Sequence, residues 1–328
     1  MKRIAIIGAG LSGIILGQKL STTADVVIFE KARGVGGRMS TRYADPFLFD
    51  HGAQCFTART KDFQTFLKSF MESGVIAEWK GQVINLEIGK KYTQRLYHEP
   101  HLVACPNMNS LCKEIAVSLN IQTNCEITSI EIQKNRKWKV YTKDGSSFGY
   151  YDWVISTSPP EQTVYLFGLY IHASEPINLA RMQSCYALMI GLNKPFDQTW
   201  IAAKVHNNPI KWISVNSSKP NRNNQVTCFV VHAKSNWTKL HIDHDIQEVE
   251  TFLLKEFSLV TDIDIKNANY ISTHRWRYSI VGTTNKSGSY IDFNLGLAAT
   301  SDWCETSRIE QVWFHAQKLG GLIASSIE

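Results

Sequence analysis

Long hydrophobic runs are missing from this chain: no stretch approaches the ~18 apolar residues of a membrane-spanning helix. The opening Met1-Lys2-Arg3 followed by Ile4-Ala5-Ile6-Ile7 superficially resembles a secretory leader, but its apolar run is too short and breaks into glycines. Paired cysteine spacing is also lacking. The seven cysteines (Cys55, Cys105, Cys112, Cys125, Cys185, Cys228, Cys304) are odd in number, with no C-x-x-C and no Cys/His spacing suited to zinc. They read as reduced thiols of a cytoplasmic protein, and no metal is expected. There is no polybasic run either: 35 Lys and Arg against 29 Asp and Glu leave a surplus spread along the chain. That argues against a nucleic-acid partner while remaining compatible with phosphate-bearing small molecules. Internal repeats and low-complexity tracts are absent.

What is present suits a packed globular protein. At 328 residues and 44% hydrophobic content, one large or two interleaved domains are expected. Nine Trp, 12 Tyr and 15 Phe are mostly core material, with some available to line a pocket for a flat ligand. The apolar pattern predicts a strand over 4–7 buried on both faces, a helix over 11–20 and a second strand over 26–29. Helical spacing returns at Phe63, Phe66, Leu67, Phe70 and Met71, and again at Met108, Leu111, Ile115 and Leu119. Residues 126–156 read as a small antiparallel meander ending in Trp153-Val154-Ile155. Strands are predicted over 186–192, 210–215 and 226–232 and a helix over 247–257, with loops at 207–209 and 217–224.

Gly8-x-Gly10-x-x-Gly13 follows the first strand and opens the first helix, the context a dinucleotide-binding turn requires. The first glycine permits the tight turn, the second lets backbone N–H groups approach a pyrophosphate, and the third lets helix and strand pack closely. Glu30 ends the second strand, where a carboxylate accepts from a ribose 2′-OH and repels the 2′-phosphate of NADP. A second cluster follows at Gly34-x-Gly36-Gly37-Arg38-Met39, with an arginine suited to pyrophosphate charge.

These motifs resemble the FAD-containing flavoproteins with two dinucleotide-binding motifs, in which the glycine turn, the strand-end Glu and a downstream G-G-R clamp the ADP half of FAD. Asp50-His51-Gly52-Ala53-Gln54-x-Phe56-Thr57 narrows the likeness to the renalase-like flavoproteins, a branch near the flavin amine oxidases. Further segments agree in order along the chain: Pro106-x-Met108, Asp152-x-Val154-Ile155-x-x-x-Pro159, Trp212-Ile213 with Lys219-Pro220, Val230-Val231-His232-Ala233, His274-Arg275-Trp276-Arg277-Tyr278, and Asp302-Trp303 before a last helix. The resemblance implies an α/β fold: a Rossmann-like FAD-binding domain of 1–57, 103–160 and 268–328, with a parallel sheet and a small β-meander, plus a mixed-sheet α+β substrate domain of 58–102 and 161–267. It also implies FAD held noncovalently by Gly8, Gly10, Leu11, Ser12, Gly13, Glu30, Lys31, Gly37, Arg38, Met39, Gly52, Ala53, Gln54, Ile127, Asp302 and Ile309.

In that family the Asp of the C-terminal segment bonds the ribityl chain and the helix after it points at the flavin pyrimidine. Ser307-x-x-Glu310 has capping-box spacing and predicts a helix from Arg308. This chain carries Ser301 and Asn107 where the family has glycines, Gln311 in place of a small residue, and Trp313-Phe314-His315 where small residues are usual. The implied activity is an oxidase of isomeric dihydro-NAD(P), with O₂ as electron acceptor and hydrogen peroxide as product. Trp276 and His232 are pocket candidates, and Lys219, Arg222 and Arg277 are candidate cations for substrate phosphates. Two rivals stand beside this reading: an oxidase of small amines, and a non-catalytic FAD- or dinucleotide-binding protein.

Overall fold

The computed structural model describes residues 1–284 and 286–327. The chain divides into two compact units, one of Met1–Gly37, Cys112–Met182 and Ile280–Glu328, the other of Arg38–Leu111 and Gln183–Ser279. Residues 38–57, 103–111 and 268–279, grouped by resemblance with the cofactor domain, fall in the second unit, and 161–182, grouped with the substrate domain, fall in the first. Their interactions explain this: Asp50 pairs with Lys219 and Arg222, and Phe47 and Phe49 share a cluster with Met189, Cys228 and Val230.

The first unit is built on a six-stranded sheet. Its centre is Lys2–Ile7, parallel to Ala24–Phe29 on one side and to Trp153–Ser156 on the other. Beyond these lie Ile121–Gln122 at one edge and the antiparallel pair Leu297–Ala299 and Tyr290–Asp292 at the other. Ile4, Ala5, Ile6, Val154 and Ile155 have no solvent exposure, which is why these strands read as unbroken apolar runs without alternation. The helix Leu11–Leu20 packs on this sheet and against the C-terminal helix Ile309–Ile327. A Cβ on Gly320 would lie 2.8 Å from Lys19 Cγ, so the two helices meet at a glycine.

The meander comprises Ile127–Ile132, Trp138–Thr142 and Ser147–Tyr151. Its last strand differs from the sequence expectation, since Trp153–Ser156 belongs to the parallel sheet. Ser147–Tyr151 is mostly exposed and has no alternating apolar pattern, whereas Trp153–Ser156 is buried throughout, as an internal strand must be.

The second unit carries a seven-stranded mixed sheet, in which Arg181–Leu192, Thr227–Ala233, Ile210–Val215 and Trp200–Val205 run as an antiparallel series and Gln82–Leu86 adds in parallel. The helix Ile246–Thr261 covers it through Val249, Leu253 and Phe257, which fill one core with Ile213, Phe229 and Val231. Asp245 caps that helix by accepting from Gln247 and Glu248 N–H. Among the described residues no helix is long and apolar enough to cross a membrane.

Candidate functional site

Between strand Lys2–Ile7 and helix Leu11–Leu20 the backbone turns through Gly8 at φ +107°, a region that favours glycine. A Cβ there would lie 2.7 Å from Thr157 Oγ1, and one on Gly13 would lie 1.9 Å from the Gly8 carbonyl oxygen. Gly10 differs: no atom lies within 4 Å of where its Cβ would be. The helix behind it has no acidic residue in its first turn and no side-chain cap from Gly10, so its leading N–H groups and positive dipole end can serve an anion. The second glycine segment lies alongside the first. Gly36 N–H donates to the Ala9 carbonyl at 2.9 Å, and a Cβ on Gly37 would sit 3.3 Å from Gly10 Cα.

Glu30, only 7% exposed, sits under this turn. One carboxylate oxygen accepts from Ala9 N–H and the other from Ala32 N–H, each at 2.7 Å. The residue expected to meet the ribose therefore also fastens the glycine turn to the second strand. Leu11 and Ser12 are buried in the first helical turn, Ile127 is buried at the start of the meander, and Lys31 is exposed, 3.9 Å from Glu126. A dinucleotide fits this cradle: open space at Gly10, free helix N–H groups and a buried acid at the strand end match pyrophosphate and ribose in turn.

In the second unit, residues 50–54 are clamped on several sides. The Arg38 carbonyl accepts from Ala53 N–H at 2.9 Å, and a Cβ on Gly52 would lie 2.0 Å from that same oxygen, so only glycine passes. Arg38 Nη1 donates to the Ser279 carbonyl at 3.0 Å, and Met39 is buried beside it. Gln54 Nε2 donates to the carbonyls of Asp50 and Gly52. Gln54 Oε1 and His51 Nδ1 are buried without a partner. Two orphaned polar atoms in one short segment are what a bound polar ligand would satisfy.

The His51 carbonyl receives two donors, His232 Nε2 at 3.0 Å and Trp276 Nε1 at 3.1 Å. The Trp276 ring stacks on the His51 imidazole with centroids 5.1 Å apart, and His274 meets both edge-on. Trp276 and His232 thus come together around the motif segment, and both act on its backbone. Burial, reinforced by His274 and Arg42, lowers His51 to about 3. Burial likewise lowers His232 to about 4 and pulls His274 down. All three imidazoles are neutral at physiological pH.

The candidate cations are placed differently from expectation. Lys219 and Arg222 are buried and both reach Asp50 Oδ2, at 3.0 and 2.8 Å, while Asp50 Oδ1 accepts from Thr41 Oγ1 and Met108 N–H. Burial alone would raise the Asp50 pKa, but the two cations hold the carboxyl well below the usual range. Burial lowers Lys219, against the pull of Asp50. These cations neutralise an internal acid and are not presented to a ligand. Arg277 pairs with Asp243 at 3.1 Å, and strand alternation turns it away from the face that carries His274 and Trp276. Asp50 itself, the first residue of the motif, had no assigned role, because its partners stand 169 and 172 residues away.

At the C-terminus Asp302 is buried and accepts from Ser301 Oγ at 3.2 Å and from Ser307 Oγ. Ser307 Oγ also accepts from Val281 N–H at 2.6 Å, so the hydroxyl expected to cap the helix ties Val281, near the end of the strand Tyr270–Thr283, to the turn at Asp302. The helix starts at Ile309, with the Arg308 carbonyl accepting from Val312 N–H. Of the bulky departures, Phe314 faces outward and His315 turns inward, its Nε2 3.3 Å from Glu305.

Comparison with known proteins accords with this geometry. Residues 6–70 match the NAD(P)-binding Rossmann-like domain, and residues 70–300 match the flavin containing amine oxidoreductase model. The chain belongs to the flavin containing amine oxidoreductase family. Its fold is mixed α/β. Among curated proteins it is 34% identical over 77 residues to the 4,4'-diapophytoene desaturase (4,4'-diaponeurosporene-forming) of Staphylococcus aureus (strain Newman), a match covering 20% of this chain and 15% of that protein. Solved structures of similar fold include a putative protoporphyrinogen oxidase from Exiguobacterium sp. 255-15 (TM-score 0.80, 11% identity) and the cyclohexylamine oxidase of Brevibacterium oxydans IH-35A (TM-score 0.77, 10% identity), each aligned over 99% of both chains. A putrescine oxidase aligns over 99% of both chains with TM-score 0.74 and 11% identity.

Proposed function

We propose that this chain is an oxidase of isomeric dihydronicotinamides that holds FAD noncovalently, with the two dinucleotide motifs at the cofactor and the substrate ring brought to the His51–Trp276 region. The open space at Gly10, beside an uncapped helix N-terminus and the buried Glu30, carries the cofactor assignment. The sequence likeness to renalase-like proteins suggests the substrate. The depressed histidines favour it: a reaction that starts by proton abstraction needs a base poised near neutrality, whereas a hydride donor needs none.

In the net reaction the dihydronicotinamide loses a hydride and becomes the aromatic nicotinamide cation; that hydride, one solvent proton and O₂ make hydrogen peroxide. FAD held by these residues would supply the hydride acceptor and the two-electron route to oxygen. The protein's own residues position. Gly10 and the helix N–H groups take the pyrophosphate, Glu30 the ribose, and Asp302 and the helix from Ile309 the ribityl chain and pyrimidine. The His51 carbonyl, held by His232 and Trp276, fixes the orientation of residues 51–54.

Family membership favours a second reading, oxidation of small amines, and the putrescine and cyclohexylamine oxidases share the fold. Anaerobic mixing separates the readings. Bleaching of the flavin by borohydride-generated dihydronicotinamide isomers supports the first, bleaching by amines alone supports the second, and bleaching by neither leaves a non-catalytic binder. The purified protein should be yellow and release FAD on acid precipitation; flavin retained in the pellet overturns noncovalent binding.

A further inference from the structure

We propose that Lys204 and Trp212 form a subsite for the phosphate-bearing arm of the substrate, a nucleotide whose reacting ring lies at the His232 end of the same cross-strand row. The proposal deepens the reading above and rests on it for the identity of that ring.

Strand register builds the row. Lys204 is paired with Asn85 on one side and with Trp212 on the other, and Trp212 is paired in turn with His232. Residues directly opposed on neighbouring strands share a face, with Cβ atoms ~5 Å apart. The alternate residues Ile84, Ala203, Val205, Ile213 and Val231 fill the core with helix Ile246–Thr261, so Asn85, Lys204, Trp212 and His232 occupy the opposite face. All four are half-buried. The row reaches the motif segment by direct contact, since His232 Nε2 bonds the His51 carbonyl at 3.0 Å. From His232 to Lys204 it crosses two strand spacings, ~10 Å, a span comparable with that from base to 5′-phosphate in a mononucleotide.

Charge on this sheet is one-sided. Its strands carry Arg181, Lys204, Lys211, Arg275 and Arg277, and no Asp or Glu. Arg181 donates to the carbonyls of Asn178 and Ala180. Arg275 donates to the His244 carbonyl at 2.7 Å and lies over the Tyr186 ring, and Arg277 pairs with Asp243. Lys211 is exposed, the extra residue of a β-bulge between Ile210 and Trp212. Lys204 is half-buried and has no ion pair among the described residues. Glu87, one alternation past Asn85, is engaged by Lys90 and Asn207. A partly desolvated ammonium without a carboxylate is stabilised by an arriving anion. Beside it the Trp212 indole donates to Ser214 Oγ at 2.8 Å, which fixes the ring, and it pairs with no other ring among the described residues. A fixed indole next to an uncompensated ammonium suits a sugar phosphate and repels a substrate ammonium.

Nicotinamide mononucleotide and nicotinamide riboside differ by one phosphate and serve as matched probes of the holoprotein in calorimetric titrations. The mononucleotide should bind about tenfold more tightly at low salt, a preference that shrinks as salt is added. Lys204→Gln should bring the ratio to about one by weakening the mononucleotide alone, with flavin content and thermal midpoint kept, and Lys204→Arg should retain most of the preference. The mononucleotide should also quench tryptophan emission in the parent and markedly less in Trp212→Phe. Equal affinity for the two probes, a preference that survives Lys204→Gln, equal quenching in Trp212→Phe, or binding of neither probe overturns the proposal. Because the readout is binding, a flavin that no dihydronicotinamide bleaches, beside a phosphate preference that depends on Lys204, would remove the proposed activity and leave the subsite standing.

Discussion

Glu30 Oε2 accepts the backbone N–H of Ala9 at 2.7 Å, joining the end of the second strand to the glycine turn that leaves the first. A carboxylate so placed acts before any ligand arrives. Glu30→Ala should lower the stability of the apoprotein by about 1.5–3 kcal/mol through lost charge-assisted bonds, and weaken flavin binding as well. Thermal unfolding of the flavin-free protein checks this. An unchanged midpoint would show that the bond contributes nothing to the turn.

Gly10 and Gly13 should respond in opposite ways. Gly13→Ala places a Cβ 1.9 Å from a carbonyl oxygen and should prevent the first unit from folding. Gly10→Ala meets open space, on a backbone with φ −73° that alanine adopts freely. That variant should fold normally and lose flavin, which dialysis and absorbance would reveal. Retention of the flavin would place the pyrophosphate elsewhere.

Asp50→Asn leaves two buried cations facing a neutral amide. A loss of about 3–5 kcal/mol is expected, since the uncompensated charge must stay buried or be released by partial unfolding. A urea midpoint within experimental error of the parent's would contradict the ionic account of this cluster.

The histidines set an acid limit. The folded-state pKa of His51 is about 3 and that of His232 about 4, both below the ordinary 6.5. The unfolded chain therefore takes up protons first as pH falls. The stability these imidazoles contribute is complete above pH ~6.5 and erodes as pH falls toward 4, by at most about 1.4 kcal/mol per pH unit for each. Denaturant titrations from pH 7 to 4 should show this slope, and His232→Gln, which keeps a donor for the His51 carbonyl, should reduce it. An identical slope in the variant would assign the titration to other groups.

Local chemistry in this chain was legible because neighbours in sequence created it. Gly8, Gly10 and Gly13 lie within one turn, and the acid at Glu30 follows from the length of a single strand-helix-strand unit. The strand over 210–215 and the helix over 247–257 emerged for the same reason, each with a self-contained apolar pattern. Long-range pairing left no such trace. Lys219 and Arg222 read as candidates for substrate phosphates until Asp50 is brought against them, and Ser307 has capping spacing until Val281 and Asp302 claim its hydroxyl. Ser147–Tyr151 shows little pattern because most of it faces water. Trp276 and His232 were found as candidates by resemblance, but their shared target, a backbone carbonyl, carries no side-chain signature.

The parallel sheet that presents the glycine turn is not assembled in the order it is synthesised. Its strand Leu297–Ala299 pairs with Trp153–Ser156, and the helix packed against Leu11–Leu20 spans Ile309–Ile327. On a ribosome adding 5–20 residues per second, the first turn waits roughly 15–60 s for these partners to be translated. During that interval the nascent first unit lacks the helix that later covers it. The first unit is accordingly complete only once Ile309–Ile327 has been translated, and a nascent polypeptide stalled ahead of residue 297 should emerge without bound flavin.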